Sequence, residues 1–447
     1  MGTPIWIGVP STVKCSSLKQ VLLAPINHHR LHQPHPVLGE YSPISAKLTT
    51  AVPHALAQSV ETLTTVLTIA GMGYFLAALV AARVFVSARR TPLQAFAPGV
   101  SVLKSLKGLD PAMLEAFRSH CRQTYAGEYE LLFGVSSLDD PAAAAVEQLK
   151  QEFPFHSIQL VECPLRLGAN GKVGTLVQLA ALARYDFLLI NDSDITVSHR
   201  YLERVMGHFS PSPITVSQAP QPAQETGLVT ALYRGRAHAT LPSRLEALGI
   251  ATDFQAGVLL SCMIERGLHY GLGSTLAVSR AALAGIGGLE TLVDHLADDY
   301  ELGARLDKAG YRIALSAEVV ETAIPAYRWR GFIDHQLRWA RTIRDARPWG
   351  YAGLIFTHGL AWALLNVVAS GLSPLSLWLL GLSFFLRLAL AMTVGAQVLA
   401  DHEVLPGLWL LPFRDLGALA IWAFGFAGNT VVWRGQRFEL KDGKLKL

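Results

Sequence analysis

An apolar segment that ends in two acids carries the clearest chemical signal in this chain. Phe187–Ile190 is followed directly by Asn191, Asp192, Ser193 and Asp194. Ligands of open α/β sheets bind beyond the carboxyl ends of the strands, so we expect both carboxylates at such an edge. Together they offer oxygen ligands to a hard cation such as Mg2+ or Mn2+, which can hold a nucleotide diphosphate. The pattern favours a nucleotide-sugar enzyme, with an ordinary turn or cap as the alternative.

A second acidic motif, Ser137-Leu-Asp-Asp-Pro141, follows an earlier apolar segment. At a strand end, a carboxylate such as Asp140 can accept hydrogen bonds from the N–H edge of a planar ring such as uracil. The alternative is that the acid only caps the helix that begins near Pro141.

The third motif, Leu296-Ala-Asp-Asp-Tyr-Glu-Leu-Gly303, places Asp298 and Asp299 at the start of a predicted helix, Tyr300–Ala309. Like-charge crowding and partial burial raise the pKa of a carboxyl group, which would suit Asp299 to the role of general base. Capping of the helix is again the alternative.

The fourth motif is Gln336-Leu-Arg-Trp339 on a helix that carries further arginines. Arg338 can offset the charge of a diphosphate, and Trp339 can form a wall beside the sugar or the acceptor. The alternative is a basic amphipathic helix on a membrane surface, which also suits the outer face of this helix.

A glycine-rich loop, Gly168–Gly174, opens a predicted helix and contains Lys172. Its backbone N–H groups and the lysine can meet a phosphate. The glycine spacing fits neither the Walker pattern nor the dinucleotide fingerprint. A later loop, Gly271–Arg280, leads into a strand and is a candidate for the acceptor side, with an exposed Arg280 on an ordinary strand as the alternative.

These motifs lie at the ends of alternating strands and helices, which predicts an α/β fold with a mostly parallel, doubly wound sheet. Proline follows Asp at both Pro111 and Pro141, as is common in a first helical turn. The predicted strands are Val100–Lys104, Tyr129–Val135, Ser157–Cys163 and Phe187–Ile190, and the predicted helices are Pro111–Cys121, Pro141–Phe153 and Val173–Ala183.

The composition is too apolar for an ordinary soluble enzyme, with 51% hydrophobic and 16% charged residues and a mean hydropathy of +0.32. Leu63–Ala82 is an uncharged run of 20 residues, the length that crosses a bilayer core. Arg89 and Arg90 follow this run, so the positive-inside rule predicts a cytoplasmic domain after it. A cleaved signal peptide is the alternative, but the run is long and its positive charge comes after it.

Two further spans are predicted at about 352–370 and 375–398, separated by Gly371-Leu-Ser-Pro374. A third apolar segment, at about 408–432, contains Arg414 and Asp415 and is expected to be interfacial or re-entrant. We therefore predict a leader at 1–58, disordered or arising from a start assigned too far upstream, and a membrane helix at 59–88. A globular domain at 91–348, membrane helices at 351–433 and a cytoplasmic tail at 434–447 follow.

Two classes of site receive no support from the sequence. The basic residues form no stripe with interleaved aromatic residues, so a nucleic acid is not an expected partner. The four cysteines show no paired spacing typical of a disulfide framework or a zinc site. A His-rich tract at 27–36 can bind metal in principle, but we assign it to the leader.

The four motifs, in this order, resemble the D, D, D, (Q/R)xxRW signature of membrane-bound family 2 glycosyltransferases, and more closely the ceramide glucosyltransferase branch, family 21. Pro98–Pro111, Asp139-Asp140-Pro141 and Trp433–Phe438 also resemble that branch. The resemblance runs from about residue 60 to the C-terminus. It implies a GT-A type domain, a UDP-sugar donor and a membrane lipid acceptor.

Within that branch, some segments are more similar to bacterial hopanoid-biosynthesis glycosyltransferases. Such proteins transfer N-acetylglucosamine from UDP-GlcNAc to a bacteriohopane polyol, which implies an integral protein of a bacterial inner membrane. The second acid of Asp192-Ser-Asp194, which ceramide-type enzymes often lack, favours this subgroup. The similar segments are Asn191–Thr196, Leu232–Arg236, Ser243–Gly249 and Leu337–Ile343.

The resemblance also implies roles for the site residues. Asp140, with Asp139 as a substitute, would bind uracil, while Asp192 and Asp194 would hold the diphosphate through Mg2+ or Mn2+. Asp299 would deprotonate the acceptor hydroxyl for a single inverting displacement. Lys172 and Arg338 would offset charge on the departing UDP, and Gln336 and Trp339 would shape the acceptor side.

Three alternatives compete with a hopanoid glycosyltransferase. One is a ceramide glucosyltransferase that uses UDP-glucose. Another is a processive polysaccharide synthase, although three C-terminal apolar segments are few for a polymer channel. The last is a membrane scaffold whose domain binds a nucleotide without turnover, which the complete set of acids disfavours.

Overall fold

The computed structural model describes residues 43–89, 94–110, 112–210, 224–433 and 436–446. The chain divides into two units, Met1–Pro53 and His54–Leu447, and the site lies in the second. Most of the predicted leader, including the His-rich tract, lies outside the described residues, as do Arg90 and Pro111. The first helix begins at Pro43, within the segment that the sequence assigned to the leader.

A seven-stranded sheet and a smaller C-terminal sheet form the β structure of the described chain. The strand order of the large sheet is β3-β2-β1-β4-β6-β5-β7, and that of the small sheet is β10-β9-β8. The strands are β1 (Val100–Ser105), β2 (Tyr129–Val135), β3 (Ser157–Glu162), β4 (Phe187–Ile190), β5 (Thr226–Arg236), β6 (Leu276–Ser279), β7 (Arg312–Ala323), β8 (Thr430–Trp433), β9 (Gln436–Lys441) and β10 (Lys444–Lys446).

The large sheet is mostly parallel, as the sequence predicted. Strands β1 to β4 pair in parallel, β6 runs antiparallel to β4 and β5, and β5 pairs in parallel with β7. Consecutive side chains on one strand point to opposite faces. Leu131 and Phe133 therefore enter one buried apolar core while Leu132 enters another. The sheet is buried on both faces, which confirms the predicted α/β fold class.

Fourteen α-helices connect and flank these strands in the described residues. Short 3-10 or π segments continue several of them. The helices are α1 (Pro43–Ala88), α2 (Met113–Cys121), α3 (Ala142–Glu152), α4 (Gly171–Leu182), α5 (Tyr201–Met206), α6 (Leu241–Gly249), α7 (Gln255–Ile264), α8 (Arg280–Gly285), α9 (Asp298–Lys308), α10 (Trp329–Ala346), α11 (Pro348–Gly353), α12 (Gly359–Ala369), α13 (Pro374–Ala391) and α14 (Leu411–Gly425).

Four continuous helical stretches among the described residues are long and apolar enough to cross a membrane. A fifth span results if the pair Pro348–Thr357 and Gly359–Ala369, bent by 57°, is counted as one. The four stretches are Ala55–Ala88, Leu241–Ile264, Pro374–Val398 and His402–Gly425.

Three features of this architecture differ from the sequence-based prediction. Leu241–Ile264 lies within the segment assigned wholly to the globular domain. The segment predicted as a span at 352–370 is a bent helix pair. Beyond α14 the chain forms strands β8 to β10, of which β8 lies at the end of the segment assigned to membrane helices and β9 and β10 lie in the segment assigned to the tail. In β9, alternate side chains are apolar and buried.

Candidate active site

The acidic turn after β4 lies at the carboxyl edge of the large sheet, where the sequence predicted it. The Asn191 side chain fixes the start of this turn by donating to the Tyr201 hydroxyl, at 2.9 Å, and to the Ser274 carbonyl, at 2.6 Å. At the end of β1, the buried Lys104 ammonium donates to the Asp192 carbonyl at 2.9 Å. Burial lowers the pKa of Lys104 to about 7, although the Asp194 and Asp192 charges oppose this effect.

A salt-bridge network joins this turn to helices α4 and α9. Lys172 Nζ lies 2.8 Å from Asp192 Oδ1 and 3.3 Å from Asp298 Oδ2. Burial opposes the charge of Lys172, but the carboxylates of Asp192, Asp298 and Asp299 raise its pKa, so the ammonium form is held. The lysine therefore lies in the predicted site, where it neutralises two acids.

Asn170 explains why α4 and α9 begin at the same place. Its Oδ1 caps α4 by accepting from the backbone N–H groups of Lys172 and Val173. Its Nδ2 donates to the His295 carbonyl at 2.7 Å and lies 3.4 Å from Asp298 Oδ1. One buried side chain thus positions the first turns of both helices.

Asp194 is held more tightly than Asp192. Its Oδ2 accepts from the Thr322 hydroxyl at 2.5 Å and from the Ala323 N–H at 3.0 Å, at the end of β7. Burial and the neighbouring Asp192 charge raise the pKa of Asp194. The Asp192 side chain is 43% exposed and offers its Oδ2 to the site.

The Asp299 carboxylate has the properties expected of a general base. Burial, followed by the Asp298 charge, raises the pKa of Asp299 to about 6. Its Oδ1 accepts from the Tyr300 N–H at 2.9 Å. A Cβ on Gly273 would lie 2.9 Å from Asp299 Oδ2 and 3.6 Å from Asp192 Oδ2, so the missing side chain leaves space between these carboxylates.

Asp140 lies further along the same edge and has a structural function. Its Oδ1 accepts from the N–H groups of Gly108 and Ala142, each at 2.9 Å, which ties the loop after β1 to the start of α3. In that loop, Asp110 Oδ2 accepts from the Ser193 hydroxyl at 3.1 Å. The neighbouring Asp139 is exposed. Asp140 thus binds the first N–H of α3 from the position before the N-cap residue, Pro141, and the loop links it to the acidic turn.

The Gln336–Trp339 motif packs on α6 through a buried acid that the sequence analysis missed. Glu246 Oε2 accepts from His335 Nδ1 at 3.1 Å and from Gln336 Nε2 at 3.4 Å. The Trp339 ring lies 5.1 Å from the His335 ring and 5.9 Å from the Phe254 ring. Trp339, predicted to form a wall beside the sugar or the acceptor, thus belongs to an aromatic cluster shared by α10 and the Leu241–Ile264 stretch.

Two tyrosines pack beside this aromatic cluster: the Tyr233 ring lies 5.7 Å from the Phe254 ring, and the Tyr327 ring lies 5.5 Å from the His335 ring. Burial, and then the charges of Asp299 and Glu246, raise the pKa of Tyr233. Burial and Glu246 also raise the pKa of Tyr327, while the Arg338 guanidinium lowers it.

The acids fit a divalent cation only if the substrate supplies part of its coordination. The described residues contain no group of three or more His, Cys, Asp or Glu side chains able to hold a metal. Mg2+ is commonly held by one or two carboxylates together with substrate phosphates. Asp192, with a half-exposed carboxylate open towards Gly273, is the residue that fits this role best, and Asp194 has one oxygen without a bond from Thr322 or Ala323.

The acids of the candidate site were predicted from the sequence, but several residues that contact or position them and the Gln336–Trp339 motif were not. Lys104 carries a detectable signal, because a lysine within the apolar strand Val100–Ser105 is unusual unless it has a buried partner. Asn170, just before α4, is a recognisable helix cap. Glu246 and Tyr233 carry no local signal, since only the tertiary fold brings Glu246 to His335 and Gln336 and places Tyr233 against Phe254.

Comparison with known proteins identifies the family. The model of Glycosyl transferase family 21 matches residues 63–446. The chain belongs to this family. The chain is therefore a glycosyltransferase related to ceramide glucosyltransferases, as the order of the four motifs predicted.

The relatives are distant. Ceramide glucosyltransferase 3 from Caenorhabditis elegans is 25% identical over 366 residues, which cover 77% of this chain and 73% of that protein. Ceramide glucosyltransferase 1 from the same organism is 23% identical over 367 residues, covering 77% and 72%. Among solved structures, the mannosyltransferase PcManGT from Pyrobaculum calidifontis, in complex with GDP-Man and Mn2+, has a TM-score of 0.48 at 19% identity, covering 82% of this chain and 97% of that one.

Proposed function

We propose that this glycosyltransferase moves one sugar from a UDP-sugar to the hydroxyl of a membrane lipid, with inversion at the anomeric carbon. The observation that carries the proposal is the Asp299 carboxylate, whose pKa is about 6 and which faces Asp192 across the space at Gly273. A base with this pKa is mostly ionised at neutral pH and can still accept a proton.

The donor would lie along the carboxyl edge of the sheet within a GT-A type domain. The exposed Asp139 and the partly exposed Asp140 are the candidates for the uracil end. Asp192 and Asp194 would hold Mg2+ or Mn2+, and the bound ion would neutralise diphosphate charge. Lys172 keeps the Asp192 carboxylate in place and adds positive charge beside it.

The reaction is a single displacement. The acceptor oxygen attacks the anomeric carbon from the face opposite UDP, while its proton passes to the Asp299 carboxylate. The new carbon–oxygen bond forms as the bond to the diphosphate breaks, and UDP departs as an anion. Positive charge from Lys172 and Arg338 would stabilise that anion, so a protonated leaving-group acid is not required.

The acceptor would approach from the side of α10 and the Leu241–Ile264 stretch. Gln336 and Trp339 lie there, next to Glu246 and the aromatic cluster. The stretch is itself long and apolar enough to lie in a membrane. A lipid headgroup could therefore reach Asp299 while its apolar part stays in the bilayer.

For the finer specificity we propose UDP-GlcNAc as donor and a hopanoid polyol as acceptor, in a bacterial inner membrane with the catalytic domain in the cytoplasm. The support is the second acid of the Asp192–Asp194 pair and the segments similar to bacterial hopanoid enzymes. The runner-up is transfer from UDP-glucose to ceramide, and the names of the Caenorhabditis elegans relatives favour it.

The test is a product assay. Membranes that contain the protein are incubated with UDP-GlcNAc or UDP-glucose, Mg2+ or Mn2+, and either a hopanoid polyol or ceramide, and the lipids are identified by mass spectrometry. We expect a hexosamine on the polyol, absent with Asp299→Asn. A hexose on ceramide would instead support the runner-up, transfer from UDP-glucose to ceramide. Absence of any lipid product, with UDP-sugar still bound, would favour a scaffold.

A further inference from the structure

The C-terminal sheet, formed by β8, β9 and β10, is apolar on one face only. Along β9 the side chains of Phe438 and Leu440 are buried, whereas those of Glu439 and Lys441 are exposed. The buried face forms a small core with Val431 and Leu445 from the same sheet and with Leu296 from the domain.

The domain segment against which this sheet packs leads directly into the catalytic acids. The Leu296 N–H donates to the Gly443 carbonyl at 3.1 Å, and the Leu445 N–H donates to the Asp294 carbonyl at 2.8 Å. Leu296 lies two residues before Asp298, the first residue of α9. The C-terminal sheet thus forms a backbone hydrogen bond with Leu296, which lies three residues before Asp299.

The same contact reaches the loop that carries Lys172. Ala169 packs on the small apolar core, and its N–H donates to Asp294 Oδ1 at 2.9 Å. The next N–H, of Asn170, donates to the Val293 carbonyl at 2.7 Å. The first turns of α4 and α9, which meet at the salt-bridge network, therefore both contact the 293–298 segment, and the C-terminal sheet binds that segment.

Charged side chains of α10 bind the C-terminal sheet and the segment that leads into it. Arg341 donates to the carbonyls of Thr430 and Ala427, at 2.5 and 2.8 Å, and Arg344 donates to the Gly425 carbonyl at 2.6 Å. The Asp345 carboxylate accepts from the Gly443 N–H. The helix that carries Gln336 and Trp339 is thereby connected to the segment before Asp299.

We propose that the C-terminal sheet is a positioning element that holds the 293–298 segment, and with it the Asp299 carboxylate, at the reaction centre. The proposal rests on the proposed function of Asp299 as the base. Two observations support the proposal. The backbone of the sheet forms hydrogen bonds with Asp294 and Leu296, and the apolar core beneath the sheet includes Leu296 and contacts Ala169. A displacement of about 1 Å at a reacting group can cost ~100-fold in rate.

The test uses neighbouring residues on opposite faces of β9. Leu440→Ala removes buried packing against Leu296, while Lys441→Ala alters only the exposed face, and Leu440→Met conserves the packing. We expect Leu440→Ala to lower kcat per folded molecule about tenfold and to change the donor KM less than about threefold, since the acids of the donor site lie on other elements. Lys441→Ala and Leu440→Met should keep kcat near that of the unchanged protein.

Hydrogen exchange provides a readout that does not depend on activity. In the purified full-length protein, we expect amides of 293–299 to exchange faster in Leu440→Ala than in Lys441→Ala. Unchanged exchange in this segment would overturn the proposal even if no donor supported turnover. The proposal would also be overturned if Leu440→Ala and Lys441→Ala had equal kcat values. The same holds if the lower activity of Leu440→Ala were explained entirely by a smaller amount of folded protein.

Discussion

Asp299 derives its proposed reactivity from its surroundings. Burial and the Asp298 charge disfavour its ionised form, whereas Lys172 and the Tyr300 N–H favour that form, with a resulting pKa of about 6. Lys172 cannot neutralise Asp299 fully, because its ammonium already pairs with Asp192 and Asp298. The arrangement keeps the Asp299 carboxylate basic enough to accept a proton.

The rate should therefore depend on pH in a defined direction. The base acts in its ionised form, so kcat/KM for the acceptor should be constant above about pH 6 and fall about tenfold per unit below it. Measurement at saturating donor removes the effect of weaker donor binding in acid. Asp299→Asn should lower kcat by about 100-fold or more. An acid limb near pH 4, the range of an ordinary carboxyl group, would contradict the account.

The sequence indicated those candidate site residues that lie in short local motifs. Asp192, Asp194 and Asp299 were recognisable because strand ends and helix starts present acids in short motifs. Glu246 was not recognisable, because its partners His335 and Gln336 are distant in sequence and meet it only after α6 packs against α10. Residues that position other side chains are harder to predict than acids in short motifs, since their partners are known only from the tertiary structure.

Helices and strands were predictable from the sequence where the apolar residues follow a single pattern. Strands β2 and β4 have the predicted bounds, because each is a short apolar run between turns. The Leu241–Ile264 stretch was missed because Arg244, Glu246 and Asp253 interrupt its apolar sequence. Arg244 is exposed, and only the tertiary fold reveals the partners of Glu246 and Asp253, which are His335 and Arg414. The C-terminal strands were missed because a short alternating segment reveals its partner surface only in the folded chain.

A buried ion pair connects three of the apolar helices. Arg387 in α13 donates to Asp415 in α14 at 2.7 Å and to the Thr252 carbonyl at 3.0 Å. This pairing accounts for Asp415, an acid within an apolar segment, because a charge in such a place requires a partner. Arg414 also contacts Asp415 and pairs with Asp253 at 2.8 Å.

Removal of one partner should destabilise this helix junction strongly. Arg387→Met leaves the Asp415 charge poorly compensated, and we expect a loss of about 3–5 kcal/mol. The double variant Arg387→Met, Asp415→Leu removes both charges and should recover much of that loss. Thermal unfolding of the detergent-purified protein checks this. Additive losses in the double variant would show that the two residues do not interact.

For the whole molecule, the arginines that follow the first apolar run predict a cytoplasmic α/β domain. With a cytoplasmic domain, a thiol at position 155 should react with a membrane-impermeant reagent only from the cytoplasmic side, since Phe155 is 99% exposed on the domain surface. A thiol at position 372, between α12 and α13, should react only from the opposite side if the bent helix pair crosses the bilayer. We expect these outcomes for Phe155→Cys and Leu372→Cys in intact cells and in inverted vesicles.

The unchanged protein is the control for reaction of its native cysteines. Reaction of both introduced thiols from the cytoplasmic side would identify the bent pair as re-entrant. Reaction of the position 155 thiol from outside would contradict the predicted orientation. The sequence located these apolar segments from composition alone, but the bend between α11 and α12 depends on packing that composition does not encode.

The most direct test of the central claim is the anomeric configuration of the product lipid. UDP-GlcNAc and UDP-glucose carry an α-linked sugar, and a single displacement with Asp299 as base inverts that centre. Nuclear magnetic resonance of the purified glycolipid should therefore show a β-linkage, whichever of the two sugars is transferred. An α-linked product would contradict single displacement and would require a different function for Asp299.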